Sequence, residues 1–553
     1  MSGPFRSLRA VRPRFVALAL AGLAVVVAVS GCAQGQSPSA GPGEAMGTEA
    51  SAAVPGKPGG TLTIGMTAVN IPPLDTALAA TQGYEGYRLV GFQLYDGLTG
   101  YDLQQSSKIP PLVPDLATSW KANADATEWT FKLREGVTFT DGTPFNAAAV
   151  VFNFKRYTDP HFKWTSPELI GQAATFAGIV ESAEEVGPYE VKLKTLAPDS
   201  HLPEDITTAF MASPTAVKKE GVKGFGTHPV GTGPFEFGSE TQGQELELLP
   251  NPDYWAGAPK LEKLILKPLP DPAARIAALR SGAVNWIEYP MPDDIASLES
   301  EGFQVLANSY DHIWPWVLNS SEGPMKDPRV RQALNYAIDR EAMADSLLQG
   351  TAEPAFQIAP HANAAYTSKN DLYSYDPAKA KELLAEAGYP SGFSMTVEYP
   401  TGGSGNMIPQ PMNEALQQEL AAVGIEVTLK PVEWSSMLGE VVTGKFPAGV
   451  DAMNISLTFL QESSWGLYFG TEGPINIGHY SNPKVDALLA EAQTTVDLEA
   501  RSHIYQEVST MITRDAPWLF VVNDRNPRAL APDVHGFIEP KSWFMDLTTV
   551  SVN

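Results

Sequence analysis

Eight histidines are spread through the chain, at 161, 201, 228, 312, 361, 479, 503 and 535. None stands in the H-E-x-x-H spacing that puts two imidazoles on one helix face, or in another ligand spacing, so no metal site is expected. A G-x-S-x-G nucleophile elbow is absent, and Gly402-Gly403-Ser404-Gly405 reads as a flexible loop. Gly439 to Lys445 spells G-x-x-x-x-G-K, but Phe446 stands where a phosphate loop needs a hydroxyl, and the stretch falls within or at the end of a helix rather than after a strand. The adjacent carboxylates Asp293 and Asp294 carry no acid–base argument without geometry. Cys32 is the only cysteine in 553 residues, which excludes an intramolecular disulfide and any Cys-rich metal site. What these patterns leave is non-covalent binding; neither enzymatic activity nor a cofactor is expected.

The elements that would position a binding site follow from hydrophobic periodicity. MKDPRVRQALNYAIDR (325–340) has an Asx cap at Asp327, proline at the first helical position, and apolar side chains at Val330, Ala333, Leu334, Ala337 and Ile338. That is one stripe of a helix, with Arg329, Arg331, Asp339 and Arg340 mostly on its other side. The same Asx-Pro device starts helices at Asp271, Asp376 and Asn482. After the central helix the pattern alternates: helix 376–387, strand 393–399, helix 409–423, strand 425–432, helix 434–443, strand 452–459, helix 482–496. This βα alternation predicts an open α/β sheet. In such sheets ligands occupy the crevice beyond the carboxyl ends of the strands.

The formal net charge of −25 argues against nucleic acid or anionic lipid as a partner of the folded part. Arg6, Arg9, Arg12 and Arg14 precede an apolar run from Phe15 to Val29, too short to span a bilayer comfortably but long enough for a signal-peptide core. It ends in Val29-Ser30-Gly31-Cys32, which resembles the lipobox of bacterial lipoproteins. That resemblance implies cleavage after residue 31 and lipidation of Cys32. Residues 32–58 are rich in Gly, Ser, Ala and Pro and read as a flexible tether.

Several strings in order along the chain resemble the extracytoplasmic solute-binding proteins of the oligopeptide/dipeptide/nickel ABC importers, solute-binding family 5. They are GGTL (59–62), LYDGL (94–98), PDLATSW (114–120), VGTGPF (230–235) and DPRVRQALNYAIDR (327–340). The resemblance covers about residues 59–550. It implies an α/β fold of the periplasmic-binding-protein type II, two lobes joined by a hinge. Lobe I would comprise 59–311 and 521–553, with an extra subdomain at about 103–227, and lobe II 312–520.

The same resemblance places the ligand at loops 400–409 and 460–468 of lobe II, facing Asn70 to Pro73 of lobe I. The residues expected there are Asn70, Ser404, Asn406, Phe459, Glu462, Ser463 and Trp465, with Trp314 as a further aromatic wall; Trp434 is assigned to the core. Family members that bind peptides carry an acidic residue in the second loop for the ligand's α-ammonium, and an ungapped reading puts Ser463 at that place, beside Glu462. Either Glu462 takes over the ammonium, or the ligand lacks one.

The function implied is that of a lipid-anchored, monomeric substrate-binding component of an ABC importer. It would be held outside the cell membrane, take up a peptide or peptide-like small solute by hinge closure, and deliver it to permease subunits. A sugar or metal chelate as the solute, a ligand-sensing lipoprotein, and a membrane-anchored hydrolase are the alternatives. The last lacks a nucleophile–base set.

Overall fold

The strand Thr61–Met66 alternates as its sequence requires and becomes the organising strand of a seven-stranded sheet. The structure, a computed structural model, describes residues 55–553 apart from Lys445, Phe459 and Leu460. The signal segment, Cys32, most of the tether, and Phe459 therefore lie outside the described residues. Thr61–Met66 runs parallel to Lys263–Pro268 on one side and to Trp286–Glu288 on the other. Antiparallel strands extend both edges, with Arg528–Leu530 lying between Gln304–Leu306 and Trp286–Glu288.

A second sheet of six strands is built on Phe393–Pro400, which pairs in parallel with Ile425–Val432 and Ala452–Asn454. Trp314–Leu318, Trp518–Asp524 and Ala352–Pro354 complete it. The chain thus passes from the first sheet to the second after Leu306 and returns after Asp524. Since Trp518–Asp524 pairs wholly within the second sheet, the return follows Asp524 rather than the boundary at 521. The two crossings are tied together: Asn308 N donates to Arg525 O at 2.8 Å, Tyr310 Oη to Asp524 Oδ2 at 2.9 Å, and Asp524 N to His312 Nδ1 at 2.7 Å. Within the expected extra subdomain, Ala117–Ala122, Glu128–Leu133, Glu190–Thr195 and Val180–Gly187 form a separate four-stranded antiparallel sheet.

The four Asx-Pro starts all cap as the sequence predicts. Asp271, Asp327, Asp376 and Asn482 accept from the amides of Ala274, Arg329, Lys379 and Lys484, each with proline in the first turn. The strand expected over 452–459 is shorter, Ala452–Asn454, and beyond it, among the described residues, only Ile455 and Leu457 still bond to Pro315 and Ile313 beside it. Glycines 231 and 233 serve close packing: a Cβ on Gly231 would lie 2.0 Å from Leu94 O, and one on Gly233 2.5 Å from Tyr95 N. The VGTGP string is therefore pressed against the LYDGL string.

The central helix differs from its reading in two respects. It runs from Pro328 to Ala337, breaks at Ile338, and restarts under a new cap at Asp339. Arg329 stays outside, but Arg331 and Arg340 are buried, 7% and 2% exposed. Arg331 donates to the carbonyls of Met325, Asp515 and Ala516, and Arg340 to those of Asn335, Ala355, Tyr373 and Phe520. Buried carbonyls need donors, and these guanidiniums supply several at once.

Candidate functional site: the cleft between the two large sheets

Both sheets aim the carboxyl ends of their parallel strands at one cavity of about 390 Å³. In the first sheet the strand ends deliver Thr67 to Val69, then Pro270, Pro272 and Arg275, and finally Tyr289; in the second they deliver Thr401 to Gly405 and Glu433 to Ser435. This is the crevice expected of open α/β sheets, and its size falls in the range of pockets for small organic ligands, roughly 300–1,000 Å³.

The floor comes from residues 84–94, a largely apolar helical stretch that nonetheless carries Glu85 and Arg88. Glu85 accepts from Thr67 N at 2.8 Å and from Thr67 Oγ1 at 2.5 Å. Burial pushes its carboxyl up, with Arg88 and the Thr67 bonds opposing. Arg88 pairs with Glu288, donates to Asn526 Oδ1 at 3.2 Å, and stacks over the Trp543 ring at 3.9 Å. Arg275 is fixed by carbonyls, Leu269 O at 2.8 Å and Pro270 O at 2.9 Å. Two guanidiniums, Arg88 and Arg275, and three carboxylates, Glu85, Glu288 and Glu433, thus line the cavity. Such a wall imposes no single sign on the ligand and offers both signs to a zwitterion.

The lobes touch at the cavity's edge. Glu85 N lies 3.4 Å from Ser404 Oγ as its donor, and a Cβ on Gly83 would lie 2.7 Å from that oxygen and 3.2 Å from Trp434 Nε1. Gly83 has φ 94°, so glycine is demanded there by backbone conformation as well as by space.

Trp543 also lines a smaller cavity of about 20 Å³, with Tyr101, Asp311, Thr458 and Gln461. Beyond Gln461 an acidic group forms around Glu462: Asp311 faces it, Glu204 and Arg501 act on it, and Asp205 bonds the adjacent Ser463. Asn363 donates to Asp311 Oδ1 at 2.9 Å and also hydrogen-bonds the Glu462 carboxylate. Burial, reinforced by Glu462, pushes the Asp311 carboxyl up to about 8. Burial likewise raises Glu462, while Arg501 opposes and Glu204 adds to the rise.

Of the residues expected at the ligand, Ser404 lines the large cavity. Asn406 is wholly buried beneath it and donates to Gly402 O at 3.0 Å, which shapes the loop. Glu462 and Ser463 belong to the acidic group; Ser463 hydrogen-bonds Asp205. Three expectations are corrected. Trp314 and Trp465 have no exposed surface and sit in the second lobe's hydrophobic clusters, where their apolar area is better spent than on a wet cleft. Asn70 is exposed beside the turn at Gly243, outside the cavity. Trp434, assigned to the core, packs on that core and also lines the cavity.

Glu85, Arg88, Arg275, Asp311 and Trp543 were missed. A charged pair at i, i+3 inside an apolar helical stretch was the available signal for the first two.

Among the described residues no three or more His, Cys, Asp or Glu side chains are grouped to hold a metal ion, and no helix is long and apolar enough to cross a membrane.

Residues 111–474 match the family model described as bacterial extracellular solute-binding proteins, family 5 Middle. The chain is 32% identical over 501 residues to the glutathione-binding protein GsiB of Pectobacterium atrosepticum, covering 87% of this chain and 92% of that one. It is 29% identical over 468 residues to heme-binding protein A of Haemophilus influenzae, covering 80% and 84%. Among solved structures, the periplasmic binding protein DppA of Helicobacter pylori in complex with the peptide STSA superposes with a TM-score of 0.76 at 23% identity, covering 90% of this chain and 98% of that one. By the extent of the model match and by identity over most of its length, the chain belongs to the family 5 bacterial extracellular solute-binding proteins.

Proposed function

We propose that this protein is the substrate-binding component of an ABC importer and that its ligand is a small zwitterionic peptide or peptide-like solute. The observation that carries the reading is the interlobe cavity, of peptide scale and lined by guanidiniums and carboxylates together. The carboxylates Glu462 and Asp311, reached past Trp543, would pair with the ligand's ammonium, and Arg88 and Arg275 would favour its carboxylates. A relative named for glutathione, a γ-linked tripeptide with one ammonium and two carboxylates, supports the same class. Titration calorimetry with glutathione, a free-amine dipeptide and a free-amine tetrapeptide tests it. Saturable 1:1 binding of at least one is expected. Binding of none, against retention of a non-peptide solute in native mass spectra of protein from its own host, would reassign the ligand.

Anchoring through Cys32 is supported by the Val29-Ser30-Gly31-Cys32 string alone. Two acyl signals give stable membrane attachment where one gives only marginal binding. Cys32→Ser is therefore expected to yield unprocessed or soluble protein without acyl chains. A mutant that still fractionates with membranes as a lipid-modified species would show the lipobox reading to be wrong.

A further inference from the structure

Beside the acidic group at Glu462, the segment that leaves the four-stranded sheet meets two helices of the second lobe, Pro483–Thr494 and Leu498–Asp515. The end of the first helix leaves carbonyls without intrahelical partners, as every helix does. Ser200, from the other lobe, caps them: its N–H donates to Gln493 O at 2.9 Å and its Oγ to Ala492 O at 2.8 Å. Arg501, on the second helix, returns the contact. It donates to Ser200 O at 2.7 Å and Ser200 Oγ at 3.2 Å, and through its other nitrogen to Glu204 Oε1 at 2.6 Å. Tyr505 Oη and His201 Nε2 meet at 3.1 Å beside it.

On its own side the segment is held firmly. Asp199 N donates to Ala126 O at 2.9 Å, Trp129 Nε1 to Asp199 O at 2.9 Å, and Thr99 Oγ1 to Pro203 O at 2.6 Å. The junction is dry apart from Glu204, whose side chain is 20% exposed: Asp199, Ser200 and His201 are each at most 3% exposed and Arg501 7%. Every bond in it joins protein to protein across the two lobes. Charge-assisted bonds of this kind are the strong ones, and a lost partner leaves buried groups unpaired.

We propose that Ser200 and Arg501 form a latch through which the four-stranded subdomain holds the two lobes together in the ligand-free protein. The four-stranded subdomain is then a clasp, and the rate at which the cleft opens is set at Arg501. This rests on the reading of the protein as a hinged binding protein, and it assigns the control of that hinge to residues that do not line the large cavity, though Arg501 also acts on the Glu462 carboxylate.

The test uses the full chain without ligand. Hydrogen exchange read by mass spectrometry is compared for wild type, Arg501→Gln and the milder Ser200→Ala, with small-angle scattering on the same samples. Exchange in peptides covering 199–205 and 490–495 is expected to rise about tenfold in Arg501→Gln and about threefold in Ser200→Ala, as for a local opening that has lost strong bonds. Exchange across 117–133 is expected to stay at the wild-type rate, and the radius of gyration of Arg501→Gln to increase. Unchanged exchange at 199–205 overturns the latch, and so does an equal acceleration across 117–133, which would mean that the subdomain itself had loosened. An unchanged radius with faster exchange also overturns it, since the lobes would then stay together without the contact. Failure of glutathione or the peptides to bind would overturn the ligand assignment and leave these readouts intact.

Discussion

Replacing Arg340 with methionine is expected to cost about 3–5 kcal/mol of stability, the scale on which removing one partner from a buried charged contact destabilises a protein. The guanidinium reaches Phe520 O at 2.7 Å, Asn335 O at 2.8 Å, Ala355 O at 2.9 Å and Tyr373 O at 3.1 Å, and also bonds Asn335 Oδ1 at 2.8 Å. Methionine fills most of the volume and supplies no donor. Each buried acceptor left without a partner costs about 1–3 kcal/mol, less where water can enter. Burial already holds the Arg340 guanidinium down to about 9, with Tyr373, Glu419 and Asp339 opposing, so the charge is retained at neutral pH. Arg329→Met on the same helix is the control: that side chain is 46% exposed and pairs with its own cap, Asp327, so a change below about 1 kcal/mol is expected. Urea midpoints for the two variants decide the matter. Equal shifts would show that the burial of Arg340 contributes nothing special.

That contrast also marks what could be read from the chain alone. The Asx-Pro starts, the parallel strands around 393–432 and the loop at 401–405 were legible, because caps, periodicity and strand-end geometry are local properties. The apolar stripe of the central helix was legible too. The burial of Arg331 and Arg340 was not, because an arginine on the polar side of a helix looks the same whether it meets water or the carbonyls of Asp515, Ala516 and Phe520, 180 or more residues away. The cavity floor escaped for the same reason. Glu85 and Arg88 acquire meaning only when Thr67, Glu288, Asn526 and Trp543 converge on them. Trp314 and Trp465 failed in the opposite direction: an aromatic residue next to a binding loop can pack inward, and here edge-to-face contact with Tyr505 at 5.4 Å turns Trp465 into the core.

If the ligand carries a free ammonium, Glu462→Gln should weaken glutathione binding by about 2–5 kcal/mol, the cost of removing one partner of a buried charged contact. In dissociation constant that is roughly thirtyfold to several-thousandfold. The physical reason lies in the acidic group itself. Burial raises both Glu462 and Asp311; Glu462 adds to the rise at Asp311 and Glu204 to that at Glu462, and Arg501 opposes the latter only in part, so without a ligand cation the two favour holding a proton. An incoming ammonium favours the ionised carboxylate and lowers both. Binding therefore releases protons, and linkage fixes the sign: affinity falls as pH falls through the raised carboxyl range, because the free protein then holds protons that the complex must give up. Calorimetry in two buffers of different ionisation enthalpy reads that release directly. N-Acetylated glutathione, which has no ammonium to pair, should bind wild type and Glu462→Gln alike, and Asp311→Asn should reproduce the loss with the free amine. If neither variant moves affinity by more than about 0.5 kcal/mol, the scale of an ordinary surface substitution, the acidic group does not hold the ligand. Recognition would then rest on Arg88, Arg275 and Trp434 around the larger cavity.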